Sequence, residues 1–284
     1  MNSLCSSRPF LYEIILTKNS LRRLRHPRIT VLFLLTLTIG LYSSAQSSSV
    51  TAPLRDPAAV SAVNMAITSM GGTYSFSSIK DARVTAQAYT PNSINTASSG
   101  QITWMTIGTS IRSVTTAQAG NSAYADQNGA GLVEDASGNV SPMDSRMALT
   151  LFPYHLPGVV LFNLLNASNE SLSVVQDAGA STTIVHVRFL QQLSNSSLIP
   201  LTQQDWYIDM TTGLPSRVDY YLPNTTSPSL DGTATVLFTS WQKTPTILMP
   251  QTLQTLNNGT AQSTITVGVP QFNQGLSASI FLLP

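Results

Sequence analysis

From Ile79 to Val269 the chain repeats one pattern: short runs in which apolar and polar residues alternate, each run closed by turn-forming residues. Successive side chains on a strand point to opposite faces, so such runs make half-buried strands rather than helices with an apolar stripe. In Ile79–Tyr89 the alternation puts Ala82, Val84, Ala86 and Ala88 on one face. In Gln101–Ile107 it puts Ile102 and Trp104 on one face, with Met105 and Ile107 on the other. Ser110–Thr116 follows after Gly108-Thr109, and two shorter segments around Ala123 and Leu132 meet at Asn128-Gly129, a hairpin signal. Later candidate strands are Leu172–Gln176, Thr182–Gln191, Gln203–Asp209, Ser216–Leu222, Ala234–Lys243, Ile247–Thr255 and Ser263–Val269. Ser194-Asn195-Ser196, Thr212-Gly213 and Asn258-Gly259 mark turns between them. Pro250 cannot donate to a ladder, so its run belongs at an edge or a bulge. So many sequential hairpins curl into a barrel or half-barrel.

Two places break the period. Asp56 is an N-cap candidate with Pro57 at the first helical position, and Val60, Val63, Ile67 and Met70 keep helical spacing before Gly71-Gly72 ends the helix. In mid-chain, Ser141-Pro142 resembles a helix start, Met143–Phe152 reads as helix, Pro153 interrupts, and Leu156-Pro157 opens a second piece over Gly158–Leu165. The expected class is therefore mainly β (α+β). It is an incomplete antiparallel β-barrel, or half-barrel, covered by an N-terminal helix and a central helical lid.

The start of the chain reads as an export signal. Arg22, Arg23, Arg25 and Arg28 precede the apolar run Ile29–Leu41, and Ser43-Ser44-Ala45 offers a small-residue cleavage site. That run is 13 residues long, short of the roughly 20 a spanning helix needs. The expected layout is a signal peptide over 1–45, a polar tether over 46–55 and a single domain over 56–284, placing the product in a periplasm or outside the cell. Cys5, the only cysteine, lies in the signal, so the remainder has no disulfide, thiol nucleophile, thiolate metal site or cysteine for lipid attachment. Of 14 basic and 13 acidic residues, six and one precede Gln46, leaving 8 and 12. A net charge of −4 with no basic patch excludes nucleic acid as a partner.

Little in the rest is reactive. His155 and His186 are its only histidines, and two isolated imidazoles without neighbouring acids do not assemble the three or four ligands of a metal site. No strained Gly-x-Ser-x-Gly-like turn is present, and the one adjacent acidic pair, Glu134-Asp135, would point to opposite strand faces. These observations favour a non-enzymatic binding protein with no metal and no cofactor. Trp104, Met105, Met147, Phe152, Phe162 and Trp241 line an apolar pocket if the barrel is incompletely filled, and are plain core if it is not.

The C-terminal half resembles a known family. Asp205-Trp-Tyr-Ile-Asp209-Met-Thr-Thr-Gly213-Leu-Pro215-Ser-Arg217-Val is similar to the Y-I-D-x-x-T-G-L-P-x-x-V hairpin of the lipoprotein-localisation (LolA/LolB-like) superfamily. Val236-Leu-Phe238-Thr-Ser-Trp241-Gln-Lys, Ile247-Leu-Met-Pro250, and Ile265-Thr-Val267-Gly-Val269 with Asn273-Gln-Gly275-Leu276 resemble its following strand, its P-x-x-L/I segment and its final strand and tail. Ala66–Gly72 resembles the opening helix that ends in M-G-G, and Trp104–Arg112 the second hairpin. Together these span about residues 57–284. Where carrier members place an Arg-Pro that helps to hold a lid, this chain has Thr106-Ile107-Gly108-Thr109.

The resemblance implies an incomplete barrel whose concave, apolar side accepts acyl chains. It implies a carrier or sensor that works without catalysis, with a lipid or lipoprotein acyl chain as ligand and an envelope membrane protein as a second partner. The expected cavity residues are Val84, Ile102, Trp104, Ile111, Met147, Phe152 and Leu237, each in passive apolar contact at about 25 cal/mol per Å² buried. The competing expectation is a structural or interaction protein of the cell envelope with a filled β core and no ligand.

Overall fold

A half-polar strand must put its apolar face somewhere, and here one curved antiparallel sheet collects most of those faces on its concave side. The computed structural model describes residues 52–90, 99–117, 120–127, 129–176, 183–224, 226–228 and 231–283, all within the unit Thr51–Pro284. The expected signal over 1–45, the tether through residue 51, the loop at 91–98, Asn128 and Thr182 lie outside the described residues.

The strands in chain order are β1 (Ala82–Tyr89), β2 (Ser99–Ile107), β3 (Ser110–Ala117), β4 (Gly120–Gln127), β5 (Ala130–Glu134), β6 (Val140–Pro142), β7 (Glu170–Val175), β8 (Ile184–Gln191), β9 (Gln204–Asp209), β10 (Leu214–Leu222), β11 (Gly232–Lys243), β12 (Leu248–Asn257), β13 (Thr260–Val267) and β14 (Gln271–Phe272). The helices are α1 (Pro57–Met70), α2 (Gly72–Ser78), α3 (Ser145–Ala148) and α4 (Pro157–Asn166). The sheet order is β6-β5-β4-β3-β2-β1-β13-β12-β11-β10-β9-β8-β7, with β14 beside the start of β1. Strands adjacent along this order are consecutive in sequence except at the β1–β13 joint, where Ala86 pairs with Val267 and Ala88 with Ile265. The sheet does not close, because β6 and β7 are its two ends.

Both ends are managed. β6 is only three residues long and ends in Pro142, which blunts it as a template for a further strand. On β7 the chain before α1 supplies partners: Asp56 N–H donates to the Leu172 carbonyl (3.0 Å) and Leu172 N–H to the Leu54 carbonyl (2.7 Å). Asp56 also accepts from Ala58 N–H at 2.8 Å and Val174 N–H at 3.2 Å. These two backbone donors hold its carboxyl below the usual range. One side chain thus caps α1 and the sheet edge together. Leu54 and Arg55, the end of the segment expected to be a tether, therefore run along β7. The Arg55 guanidinium donates to the carbonyls of Leu165, Ala167 and Glu170, tying the end of α4 to the same edge.

α1 follows its sequence signals: Asp56 caps, Pro57 opens, and Gly71 at φ 140° closes it by donating to Ile67 and Thr68. Its buried face, Ala59, Ala62, Val63, Ala66, Ile67 and Met70, packs on β7 to β10 and β12. α4 lies against α1 and α2. Gly158 makes that approach possible, since a Cβ there would come within 2.2 Å of the Phe76 ring.

The central island differs from expectation. α3 is a single turn, and residues 149–156 are irregular. Pro153 biases its predecessor away from helix, and the Thr150 hydroxyl turns back to the Met147 carbonyl at 2.8 Å. Only α4 completes the helical cover. Pro250 resolves as a bulge rather than an edge: β12 is central, and the register with β11 slips between Phe238, Ser240 and Trp241, opposite Pro250.

The tail beyond β14 crosses the convex face of β3 and β4, where Phe281 and Leu283 bury with Ala123 and Ala125 in a second cluster. Asp81 anchors it, accepting from Gln274 N–H (2.7 Å), Gly275 N–H (2.9 Å) and Leu276 N–H (3.2 Å). Asp81→Ala is expected to cost about 2–3 kcal/mol, since it orphans three backbone donors at once. Hydrogen exchange checks this: protection at Gln274–Leu276 should fall while that in β8 to β11 is kept. Unchanged protection in the tail would show that Phe281 and Leu283 hold it without the carboxylate.

Candidate functional site

Cross-strand register decides which side chains face the helices. Val84, Trp104, Ser113 and Tyr124 lie in one row across β1 to β4. Val187, Trp206, Val218 and Val236 lie in another across β8 to β11. The β8 to β10 part of the second row is covered by α1 and packed, with Val187, Trp206 and Val218 completely buried, while Val236 on β11 borders the cavity. The first row is covered by residues 150–155, and there the fit is incomplete. A cavity of about 230 Å³ remains, lined by Ile102, Trp104, Ile111, Phe152, Val236 and Leu253, with Ser113, Tyr124, Thr150, Tyr154, His155 and Tyr220 among its polar walls.

The expected cavity residues divide accordingly. Ile102, Trp104, Ile111 and Phe152 line the cavity. Val84 stands beside Trp104 in the row but is buried in the continuous core. Met147 is half-buried on α3, with its sulfur 3.9 Å from the Thr150 hydroxyl, and does not reach the cavity. Leu237 pairs with Arg217 and Gln254, in the alternate register to Val236 and Phe238, so it faces the convex side and not the cavity.

Sequence reasoning missed the aromatic segment. Tyr154 and His155 sit between Pro153 and Pro157 and carry no periodicity to assign a face. The His155 ring stacks on Trp104 at 4.2 Å and 12°, and the Tyr154 ring on Tyr220 at 4.6 Å and 27°. Burial pushes His155 down to about 3 and pushes Tyr124, Tyr154 and Tyr220 up. All four groups are therefore neutral at pH 7, and among the described residues no Lys, Arg, Asp or Glu lines the cavity. α3, which precedes this segment, is fixed by Arg146 pairing with Asp231, itself held by Tyr221 and by Asn224 N–H.

A second recess, about 390 Å³, lies on the far side of Leu151 and Phe152, which line both. It contains two buried carboxyls. Burial pushes Asp126 up to about 6, and Glu170 up to about 8 against the opposing charge of Arg55. Acidic groups with so little solvation make a poor wall for an acyl chain, so the smaller neutral cavity is the candidate site.

His186 lies 3.1 Å from Asp205, on the convex side with Tyr207 stacked on its ring at 4.4 Å. Burial alone would raise Asp205, but hydrogen bonds from Arg188, His186 and Gln203 outweigh it and hold the carboxyl below its usual range. An imidazole that shares its acid with two other donors and is 6% exposed is built as a structural pair. Among the described residues, no group of three or more His, Cys, Asp or Glu is placed to hold a metal ion.

No protein-family model matches the sequence, and no match is found among curated proteins. Solved structures do match in shape. A LolA superfamily protein from Nitrosomonas europaea superposes with a TM-score of 0.51 at 9% identity, over 78% of this chain and 96% of that one. A domain named for outer membrane lipoprotein sorting, from Vibrio parahaemolyticus, gives 0.49 at 13% identity over 79% and 96%. A DUF1329 family protein from Desulfovibrio piger gives 0.49 at 12% over 80% and 99%. The superposition at 0.51 gives the chain the LolA-like fold, an open antiparallel half-barrel with helices on its concave side. At these identities the likeness is one of fold.

Proposed function

We propose that this is an exported, non-enzymatic binding protein that holds an acyl chain of a lipid or lipoprotein between the Trp104 side of the half-barrel and residues 150–155, for carriage or sensing in the cell envelope. The observation that carries this reading is the cavity itself. One half of the concave face is packed solid by α1, and the other keeps a neutral, aromatic-walled space. The LolA-like fold supports it, and among the described residues no helix is long and apolar enough to cross a membrane. At about 230 Å³ the space is smaller than the roughly 300–1,000 Å³ of ordinary ligand sites. A long chain then enters only if segment 149–156 swings away from Ile102 and Trp104. That smallness also favours the second reading, a filled-core envelope protein.

Native mass spectrometry of protein recovered from the periplasm of cells expressing the full chain separates the two. Added mass that disappears on organic extraction and is identified as lipid is the expected result. A bare polypeptide mass that stays bare after incubation with phospholipid and lipopeptide would leave the filled-core reading standing. Trp104→Asp is expected to reduce the bound lipid at least tenfold, because a carboxylate in the wall must be desolvated against the chain. Its circular dichroism should remain that of the parent. Undiminished lipid in that variant would remove Trp104 from the site.

A further inference from the structure

Resting on that reading, we propose that the cavity selects an uncharged amphiphile, an apolar chain bearing a hydroxyl or ester carbonyl, and that His155 Nε2 and the Tyr154 hydroxyl hold that polar group. Both atoms are buried without a hydrogen-bond partner, on residues only 3% and 7% exposed, and both residues line the cavity. Buried polar groups are almost always paired, and leaving one unpaired carries a desolvation penalty. Two such groups, side by side in sequence on residues that line one space, are what a polar ligand group would satisfy.

The two side chains are also held in place rather than left to drift. His155 is clamped flat on Trp104 and Tyr154 on Tyr220, between two prolines that restrict the backbone. A neutral imidazole donates from one nitrogen and accepts at the other, and a phenol does both, so either a hydroxyl or a carbonyl finds a partner.

The same walls reject charge. Among the described residues no cation lines the cavity to pair with a carboxylate, and Asp126 and Glu170 stand in the recess beyond Leu151 and Phe152. A free fatty-acid anion with its head in this space would be buried unpaired, with Asp126 in the neighbouring recess, which is costly. An ester-linked or hydroxyl-bearing chain meets no such penalty.

The test is displacement of an environment-sensitive apolar fluorophore by decane, 1-decanol, methyl decanoate and decanoate at pH 7.5, using chains short enough for the cavity. In a space without polar partners the alcohol would bind about tenfold or more weaker than the alkane, because its hydroxyl is desolvated unpaired. Here 1-decanol is expected to bind at least as tightly as decane, and decanoate at least tenfold more weakly than 1-decanol or methyl decanoate. Tyr154→Phe, which removes one oxygen and keeps the ring, and His155→Phe are each expected to weaken 1-decanol about tenfold and leave decane unchanged.

Decane binding tenfold tighter than 1-decanol, or Tyr154→Phe and His155→Phe leaving 1-decanol untouched, would overturn the polar anchor while the apolar cavity stands. Decanoate matching 1-decanol would overturn the charge selection. A fluorophore that never binds, with none of the four chains detected by calorimetry, would remove the cavity reading itself.

Discussion

At pH 8, Glu170→Gln is expected to stabilise the fold by on the order of 3–5 kcal/mol, and the gain should nearly vanish below pH 4.5. Glu170 is 3% exposed, and burial pushes its carboxyl from 4.5 up to about 8 against the opposing charge of Arg55. The unfolded chain gives up this proton near pH 4.5, and the folded chain keeps it until about pH 8. The folded state therefore binds the extra proton between those values. Its contribution is complete below 4.5 and is lost as pH rises to 8. Gln keeps the shape and has no proton to lose.

Other groups set the window in which this is visible. Asp126, raised from 3.8 to about 6, acts in the same direction at lower pH. His155, lowered from 6.5 to about 3, acts oppositely: the unfolded chain protonates it below 6.5 and the folded chain does not, so it removes stability as pH falls. Between about 4.5 and 6 His155 cancels only one of the two raised carboxyls, so a net loss of about 1.4 kcal/mol per pH unit remains, and the effects nearly cancel only between about 6 and 6.5. From 6.5 to 8 Glu170 acts without that opposition, and the parent should lose about 2 kcal/mol there. Denaturant midpoints measured at half-unit steps from pH 4 to 8.5 check this. A parent whose stability is flat above pH 6.5, or a Gln variant with the same slope, would show that Glu170 ionises normally in the folded state.

How far the sequence leads depends on whether the determinant is local. α1 was legible to the residue because its cap, its proline and its closing glycine are all adjacent to it. The β9–β10 hairpin was legible for the same reason: Asp209 accepts from Thr211 N–H at 2.8 Å, and Gly213 takes φ 71°. The joint between β1 and β13 was not, because pairing across some 180 residues leaves no trace in either strand. Alternation also fails where a bulge interrupts it. Along β11 Leu237 alternates with Val236 and Phe238, and the slip opposite Pro250 changes the parity beyond them. Trp241 and Phe238 thus share a side, with rings 5.9 Å apart, and Leu237 is left on the other. The helical reading of 143–152 stops at Pro153, but only Ser145–Ala148 is helical. Residues 150–155, at and beyond its end, supply Thr150, Leu151, Phe152, Tyr154 and His155 to the cavity wall, so a large part of the site lies in the stretch with the least regular pattern.

Trp206→Ala is expected to cost about 3–5 kcal/mol, and for a domain of this size to lower the melting temperature by about 10 °C or more. Trp206 is completely buried under α1, stacked with Phe238 at 6.0 Å and against Tyr154 at 6.1 Å. Its indole N–H donates to Gln204 Oε1 at 3.2 Å, so the substitution also strands a buried acceptor. Trp104→Ala is the informative counterpart. It removes the same side chain from the same concave face, but from a wall that borders empty space, where fewer atoms are in contact to begin with. Its cost should be about half that of Trp206→Ala, and the variant should keep a cooperative melt. The difference between the two measures how unevenly the half-barrel is filled, which is the property the proposed function depends on. Equal costs would mean that the Trp104 side is packed as tightly as the Trp206 side. The space for a ligand would then be too small to matter, and the envelope-scaffold reading would be the better one.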